Sequence, residues 1–230
     1  PEDIAVINPY NRVPVLVEAL QTIVLDAVAE IDNGGLGTEA NSDATGTIDA
    51  TGATVTVDAA TLAGQSLTLR SDVTKIDAFV DADSDSGAFI TNSNATAELT
   101  TSTRSEVLVH AGADIKGRDT LTLGAYHNRA NASGRIDTDA NATATGSSLG
   151  GGTDASATNR LTNTTHVDAD AGATLRARDL VVEARALRAP GYAADPTADG
   201  ALIDNPTETR VRALTAHSSI DLDAGVVLLG

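Results

Sequence analysis

Apolar and polar positions alternate along most of this chain, and the alternation itself recurs. Val107 and Val109, then Leu121 and Leu123, fall at every second place with polar partners between them. That is the period of a strand with one buried face. The same line of residues stands at 55–69, 107–123 and 167–182 and begins again at 220–228. Its tail, Leu16-Val-Glu-Ala19, echoes Val181-Val-Glu-Ala184 near the start of the chain. Recurrence at a fixed period of this size marks a stacked-repeat architecture.

The copies register on their apolar places. Leu62, Ile115, Leu175 and Leu228 correspond at spacings of 53, 60 and 53, and Val17, Leu69, Leu123 and Val182 at 52, 54 and 59. Val55, Val107, Val167 and Ile220 form a third row. The first copy is a residue shorter at its Ala-Ala step, and the second carries Thr120 as an extra residue. Each copy reads as strand, corner, short strand, turn, strand, with the Ala-Gly step supplying the corner.

The stretches between copies are rich in Ala, Thr, Asn, Asp and Gly. Such composition suits disorder. In Asn94-Ala-Thr-Ala-Glu-Leu-Thr100 and Ala140-Asn-Ala-Thr-Ala-Thr-Gly146, however, Ala holds every second place, and a linker has no reason to keep that phase. Further strands with Ala inward are predicted there. Residues 13–31 suit an amphipathic helix by propensity, but Ile23, Leu25, Ala27, Ala29 and Ile31 also share one face of a strand; strand is preferred. Residues 146–154 are predicted as an excursion and 189–196 as a loop, since proline removes ladder donors. The prediction is an all-β chain, a parallel β-solenoid of imperfect repeats of about 53–60 residues. Residues 1–230 form a single repetitive segment with copies near 16–31, 55–70, 107–124, 167–184 and 220–230. One repeat makes one wide coil or two smaller ones. A tandem β-sandwich is the competitor, but it needs a longer unit and a heavier core.

Composition narrows the picture. Hydrophobic residues make up 41% of the chain but aromatic ones only 2%, so the interior must be slim and aliphatic. The net charge is −17, with lysine only at Lys75 and Lys116; this speaks against nucleic acid as a partner. With no cysteine, neither disulfide nor thiolate metal chemistry arises. No apolar run approaches the length of a membrane span. The chain opens on Pro1 and contains no Met, and the incomplete copies at both ends lead to the expectation of a segment of a longer chain.

Candidate chemistry is sparse. Asp81-Ala-Asp-Ser-Asp-Ser-Gly87 is the nearest approach to a metal motif. Alternate carboxylates before a Gly turn offer Asp81, Asp83 and Asp85 to calcium, against the alternative of a solvated acidic loop. The repeats also align His110, Asp170 and Asp223 in one ladder, and Asp119 with Asp179 in another, each preceded by an arginine. The four histidines share neither a repeat position nor a metal-ligand spacing. No nucleophile elbow, phosphate loop or zinc-protease motif occurs, so no catalytic residue is assigned. With Tyr10, Tyr126, Tyr192, Phe79 and Phe89 as the only rings, a polysaccharide-cleaving cleft is poorly supplied with stacking surfaces. Scattered Thr-x-Thr pairs do not recur at one repeat place, which argues against an ice-templating array.

The corner Ala-Gly-Ala-x-Ile/Leu followed by Leu-Thr-Leu or Leu-Val-Val, at 111–123 and 171–182, resembles long bacterial exoproteins and surface adhesins of the filamentous-haemagglutinin-like kind. The resemblance implies export to the bacterial cell surface or beyond, a β-solenoid stalk, and adhesion or matrix building. It carries over no catalytic residue. The expected function is therefore structural: a fibre, stalk or adhesin segment that associates end to end or with neighbouring segments of its own polypeptide. A module holding calcium or a surface glycan on one lateral face is the alternative, and a polysaccharide-active enzyme the more distant one.

Overall fold

The structure, a computed structural model, describes residues 13–130, 132–133, 135–147, 149–186, 191–200 and 206–229. It contains ten strands: β1 (Val15–Val57), β2 (Thr61–Val109), β3 (Asp114–His127), β4 (Ile136–Gly146), β5 (Gly150–Ala169), β6 (Thr174–Arg176), β7 (Asp179–Arg185), β8 (Gly191–Asp199), β9 (Thr207–Leu222) and β10 (Val227–Leu229). No described residue is helical, and every strand pair is parallel. The molecule is a parallel β-solenoid.

The pairing register settles what one repeat contributes. Val15 pairs with Leu67, Leu67 with Leu121 and Leu121 with Leu180, so one repeat is one wide coil. Four turns result: residues 15–66, 67–120, 121–179 and 180–229. All three apolar rows read from the sequence are ladder rows. Leu62–Ile115–Leu175–Leu228 is one, Val17–Leu69–Leu123–Val182 another, and Val55–Val107–Val167–Ile220 the third. Each coil is flattened. In turn 2 one wall runs from Leu67 to Ser84 and the other returns from Ser93 to Val109, and Ser84 meets Ser93 across the interior at 2.9 Å. A wall of that length spans roughly 60 Å, whereas four turns rise only about 19 Å. The segment is a slab, wider than it is tall.

Side-chain alternation decides the interior. Leu67, Leu69, Ile76, Ala78, Val80 and Ala82 from one wall, and Ala95, Ala97, Leu99 and Val107 from the other, are all buried. The predicted inward Ala positions of 140–146 and 94–100 belong to this set. Small side chains let the two walls approach closely, which is why so few aromatic residues are needed. The buried apolar residues form two clusters, one between the long walls and one at the corner formed by 107–123. At that corner Gly112, Gly172 and Gly225 have φ of 85°, 90° and 106°. Ala113 N–H closes on His110 O at 3.2 Å, Ala173 on Asp170 at 3.0 Å and Val226 on Asp223 at 3.1 Å. These are β-turns whose third residue needs positive φ, and glycine supplies it without strain.

Three local expectations are corrected. Residues 150–154 are not an excursion: Gly150–Asp154 pair with Ile90–Asn94. Glycine is needed there because a Cβ on Gly151 would strike the Thr91 carbonyl of the turn beneath. From Gly191 onward, 189–196 is strand β8 and not loop (residues 189 and 190 lie outside the described set). Pro196 pairs with Ala142 of β4, the one strand paired with β8 among the described residues. The extra residue of the second copy is not Thr120, which pairs with Asp179. The shift falls between Lys116 and Thr120, so Asp119 and Asp179 are not ladder partners. Arg178 bridges them instead, 3.8 Å from Asp119 and 3.3 Å from Asp179. The strand reading of 15–31 holds throughout β1.

Candidate functional site

Asp81 and Asp83 lie in the wall of β2 that ends at Ser84, and Asp85 and Gly87 in the stretch where the chain reverses before Ser93. They project from the outer face, because Ala82, Ser84 and Ser86 between them are buried. The ladder extends the acidic surface: Asp83 pairs with Glu30, Asp85 with Asp32, and Asp77 with Asp137. A shallow depression of about 270 Å³ lies among Glu30, Asp32, Asp83, Asp85, Thr143 and Thr145. Partial burial, then the neighbouring charges of Asp83, Asp26 and Glu30, push the Asp81 carboxyl above the usual range. Asp139 is raised in the same way, by burial and then by Asp137. Burial is the larger cause at both carboxyls, and the neighbouring acids add to it. Among the described residues no three His, Asp or Glu side chains converge on one point as metal ligands would.

The aligned His110, Asp170 and Asp223 do form a column at the corner, joined by Asp58: His110 Nδ1 stands 3.8 Å from Asp58 and 3.8 Å from Asp170. All three partners are well exposed, so the column is weakly held.

A second surface was not anticipated. On the outer face beside the corner cluster, Glu18, Arg70, Gly124 and Glu183 form one ladder row, and Leu20, Asp72, Tyr126 and Arg185 the next. Gly124 leaves room for the Tyr126 ring, which occupies the space a Cβ there would need. Though outward in register, Tyr126 is 2% exposed. Arg129 and Arg185 lie over the ring, their guanidinium carbons 5.3 and 5.9 Å from its centre. The phenol donates to Glu183 Oε2 at 2.6 Å, and Arg70 pairs with Glu18 one row away. Burial, then the bond to Glu183, pushes the Tyr126 phenol up to about 12. Burial also raises the Asp72 carboxyl, against the pull of the Arg129 backbone N–H and the Arg70 charge. Glu18, Arg70, Asp72, Arg129, Glu183 and Arg185 border a groove of about 640 Å³ beside the buried Tyr126 ring.

Tyr126→Phe is expected to cost about 1–2 kcal/mol, the worth of a hydrogen bond to a charged acceptor. It should also delete the phenol that ionises near pH 12 in an ultraviolet titration of the folded protein. Loss of an ordinary phenol titrating near 10 instead would show that the ring is not held this way.

The third feature is internal. Between the two apolar clusters the lumen is polar. Ser71 and Ser105 meet at 2.7 Å. Thr103 donates to Asn163 Oδ1 at 2.6 Å and accepts from His127 Nε2 at 2.8 Å. That assignment leaves His127 Nδ1 a bare acceptor, buried with no partner. Burial lowers the His127 pKa to about 4. The imidazole is therefore neutral at ordinary pH.

Comparison with known proteins yields no match to a family model, to a curated protein or to a solved structure. The chemistry must be read from geometry alone. The described residues present an acidic lateral face and a mixed-charge groove rich in arginine.

Proposed function

We propose that this chain is a structural segment, a length of β-solenoid that spaces or presents other parts of a fibre, stalk or adhesin. The supporting observation is the parallel ladder that runs from turn to turn with only local register shifts, its wall residues alternating between the interior and the outer face. In such an array stability sums over adjacent turns, which suits a spacer better than a pocket. The outward rows are largely Asp, Thr, Asn and Ser, a hydrated surface that keeps neighbouring rods apart. Placement at or beyond a bacterial cell surface belongs to the same proposal and rests on the corner motif at 111–123 and 171–182. Its partners are neighbouring segments, joined by strand addition.

A second reading follows from the Tyr126 groove. Arg70, Arg129 and Arg185 gather there in a chain of net charge −17. Guanidinium groups so placed suit the carboxylates of an acidic glycan. Calcium on the Asp81–Asp83–Asp85 face is the corresponding proposal for a cation.

One set of measurements separates the readings. Calorimetry with calcium chloride and with oligouronates should give no saturable heat and no shift in melting temperature. Antibody labelling of intact cells that make the full polypeptide should reach the segment. Saturable uronate binding abolished by Arg129→Ala with Arg185→Ala would replace the spacer reading with the groove, and calcium-dependent melting lost in Asp83→Asn with Asp85→Asn would replace it with the acidic face.

A further inference from the structure

The two ends of the stack are built differently. On β9 the pairing register carries Glu208, Arg210 and Arg212 onto the places held by Ala155, Ala157 and Asn159 in turn 3. In turn 2 the same places are Ala95, Ala97 and Leu99. All six of those residues are buried. Three charged side chains therefore stand at inward register in the last turn. Their contacts show where they go. Glu208 Oε1 accepts the backbone N–H of Ala198 at 3.2 Å, and Arg210 reaches Asp195 at 3.2 Å. Both partners are on β8, the wall across the lumen, so these side chains lie over the end of the apolar interior. The Glu208 contact also ties a main-chain donor of the last turn to a side chain, and Pro196 on the same strand has no N–H to offer.

Among the described residues, turn 1 has no such feature. The matching inward places of turn 1 are Ser42, Ala44 and Gly46, and across from them stand Ile23, Leu25, Ala27 and Ala29, only partly buried. The rest of turn 4 is adhesive. Leu214, Ile220, Leu222 and Leu228 are 38–50% exposed, although their ladder partners Leu161, Val167, Ala169 and Leu175 are buried.

Continuing the register, a second copy stacked head to tail would set its Ser42, Ala44 and Gly46 over Glu208, Arg210 and Arg212. At Gly46 the inward space is already filled by Leu25, Val80 and Leu99, so Arg212 has nowhere to go. Inward charges on an edge strand are a known obstacle to edge pairing, because each must be desolvated without a new partner. We infer that Glu208, Arg210 and Arg212 are a polar cap that closes the turn 4 edge to a second copy of the chain. The inference stands on the register alone; a capped last turn is compatible with a spacer or with a binding module.

The chain has no cysteine, so a designed disulfide reports stacking cleanly. Asp43→Cys and Thr209→Cys would become ladder neighbours only between stacked copies, at a separation a disulfide spans. With the cap intact, oxidised protein should remain monomeric at that contact. Adding E208A, R210A and R212L, which copies the inward row of turn 2, should give cross-linked head-to-tail oligomers. Without the cysteines, the same triple variant should associate about 100-fold more tightly in sedimentation. Ala44→Glu in that background should return it to monomer. Arg210→Leu alone, the mildest change, should already produce cross-linked dimer if the triple variant folds poorly. Cross-linking with the cap intact as readily as without it, or no gain from either variant, overturns the inference.

Discussion

Leu121→Ala is expected to lower the free energy of unfolding by about 3 kcal/mol, the usual cost of removing a large aliphatic side chain from a packed interior. Leu121 is fully buried in turn 3 and lies between Leu67 below and Leu180 above. Both neighbours are fixed by their own ladders, so the space left behind has little freedom to collapse. Thr122→Ala, one residue along on the outer face, should change stability by less than about 0.5 kcal/mol. Urea unfolding of the two variants checks the phase of the whole strand. Equal effects would mean that this wall does not alternate as described.

Acid should weaken the fold through His127. Its folded pKa is lowered to about 4 by burial, against about 6.5 in the unfolded chain. Between those values the unfolded state binds the proton and the folded state does not. The stability this site contributes is present above pH 6.5 and is lost as pH falls through 4, a total of about 3 kcal/mol. Asp72, Asp81 and Asp139 act in the opposite sense. Their folded pKa values are raised, so their protonation favours the folded state as pH falls towards the unfolded carboxylate range. The difference between wild type and His127→Leu isolates the imidazole. The variant should lose most of the stability change between pH 6.5 and 4, while a parallel pair of pH–stability curves would place His127 in solvent.

Much of the fold was legible because apolar side chains mark both phase and register. The row Leu62–Ile115–Leu175–Leu228 needed only matching apolar places to be found, but its spacing suited one wide coil or two smaller ones alike, and only the pairing register decides for one. Polar residues carry no such mark. Ser71, Thr103, Ser105 and His127 read as solvent-facing until their phase is carried through from Leu69, Leu99, Val107 and Leu123, with which they share a face. The same operation, run back from Leu214 and Ile220, places Glu208, Arg210 and Arg212 inward. Local motif reading worked against it at Asp81-Ala-Asp-Ser-Asp-Ser-Gly87, where a turn-like composition occupies a strand whose Ala82 and Ser84 face the core. The Tyr126 groove lay beyond reach for another reason. It is assembled from Glu18, Arg70, Arg129 and Glu183, one residue from each turn, and no single stretch of chain announces it.

The flattened coil also sets how the segment bears load. Hydrogen bonds between turns point along the solenoid axis. A pull in that direction therefore opens an edge ladder from one corner, bond after bond, at low force. Tension applied across the slab, from one wall towards the corner at Gly112 and Gly172, runs along the covalent backbone of every coil together. This protein would be stiff in its width and would peel in its height, so any stalk built from it must receive its strain side-on or have its outermost coils clamped by what adjoins them.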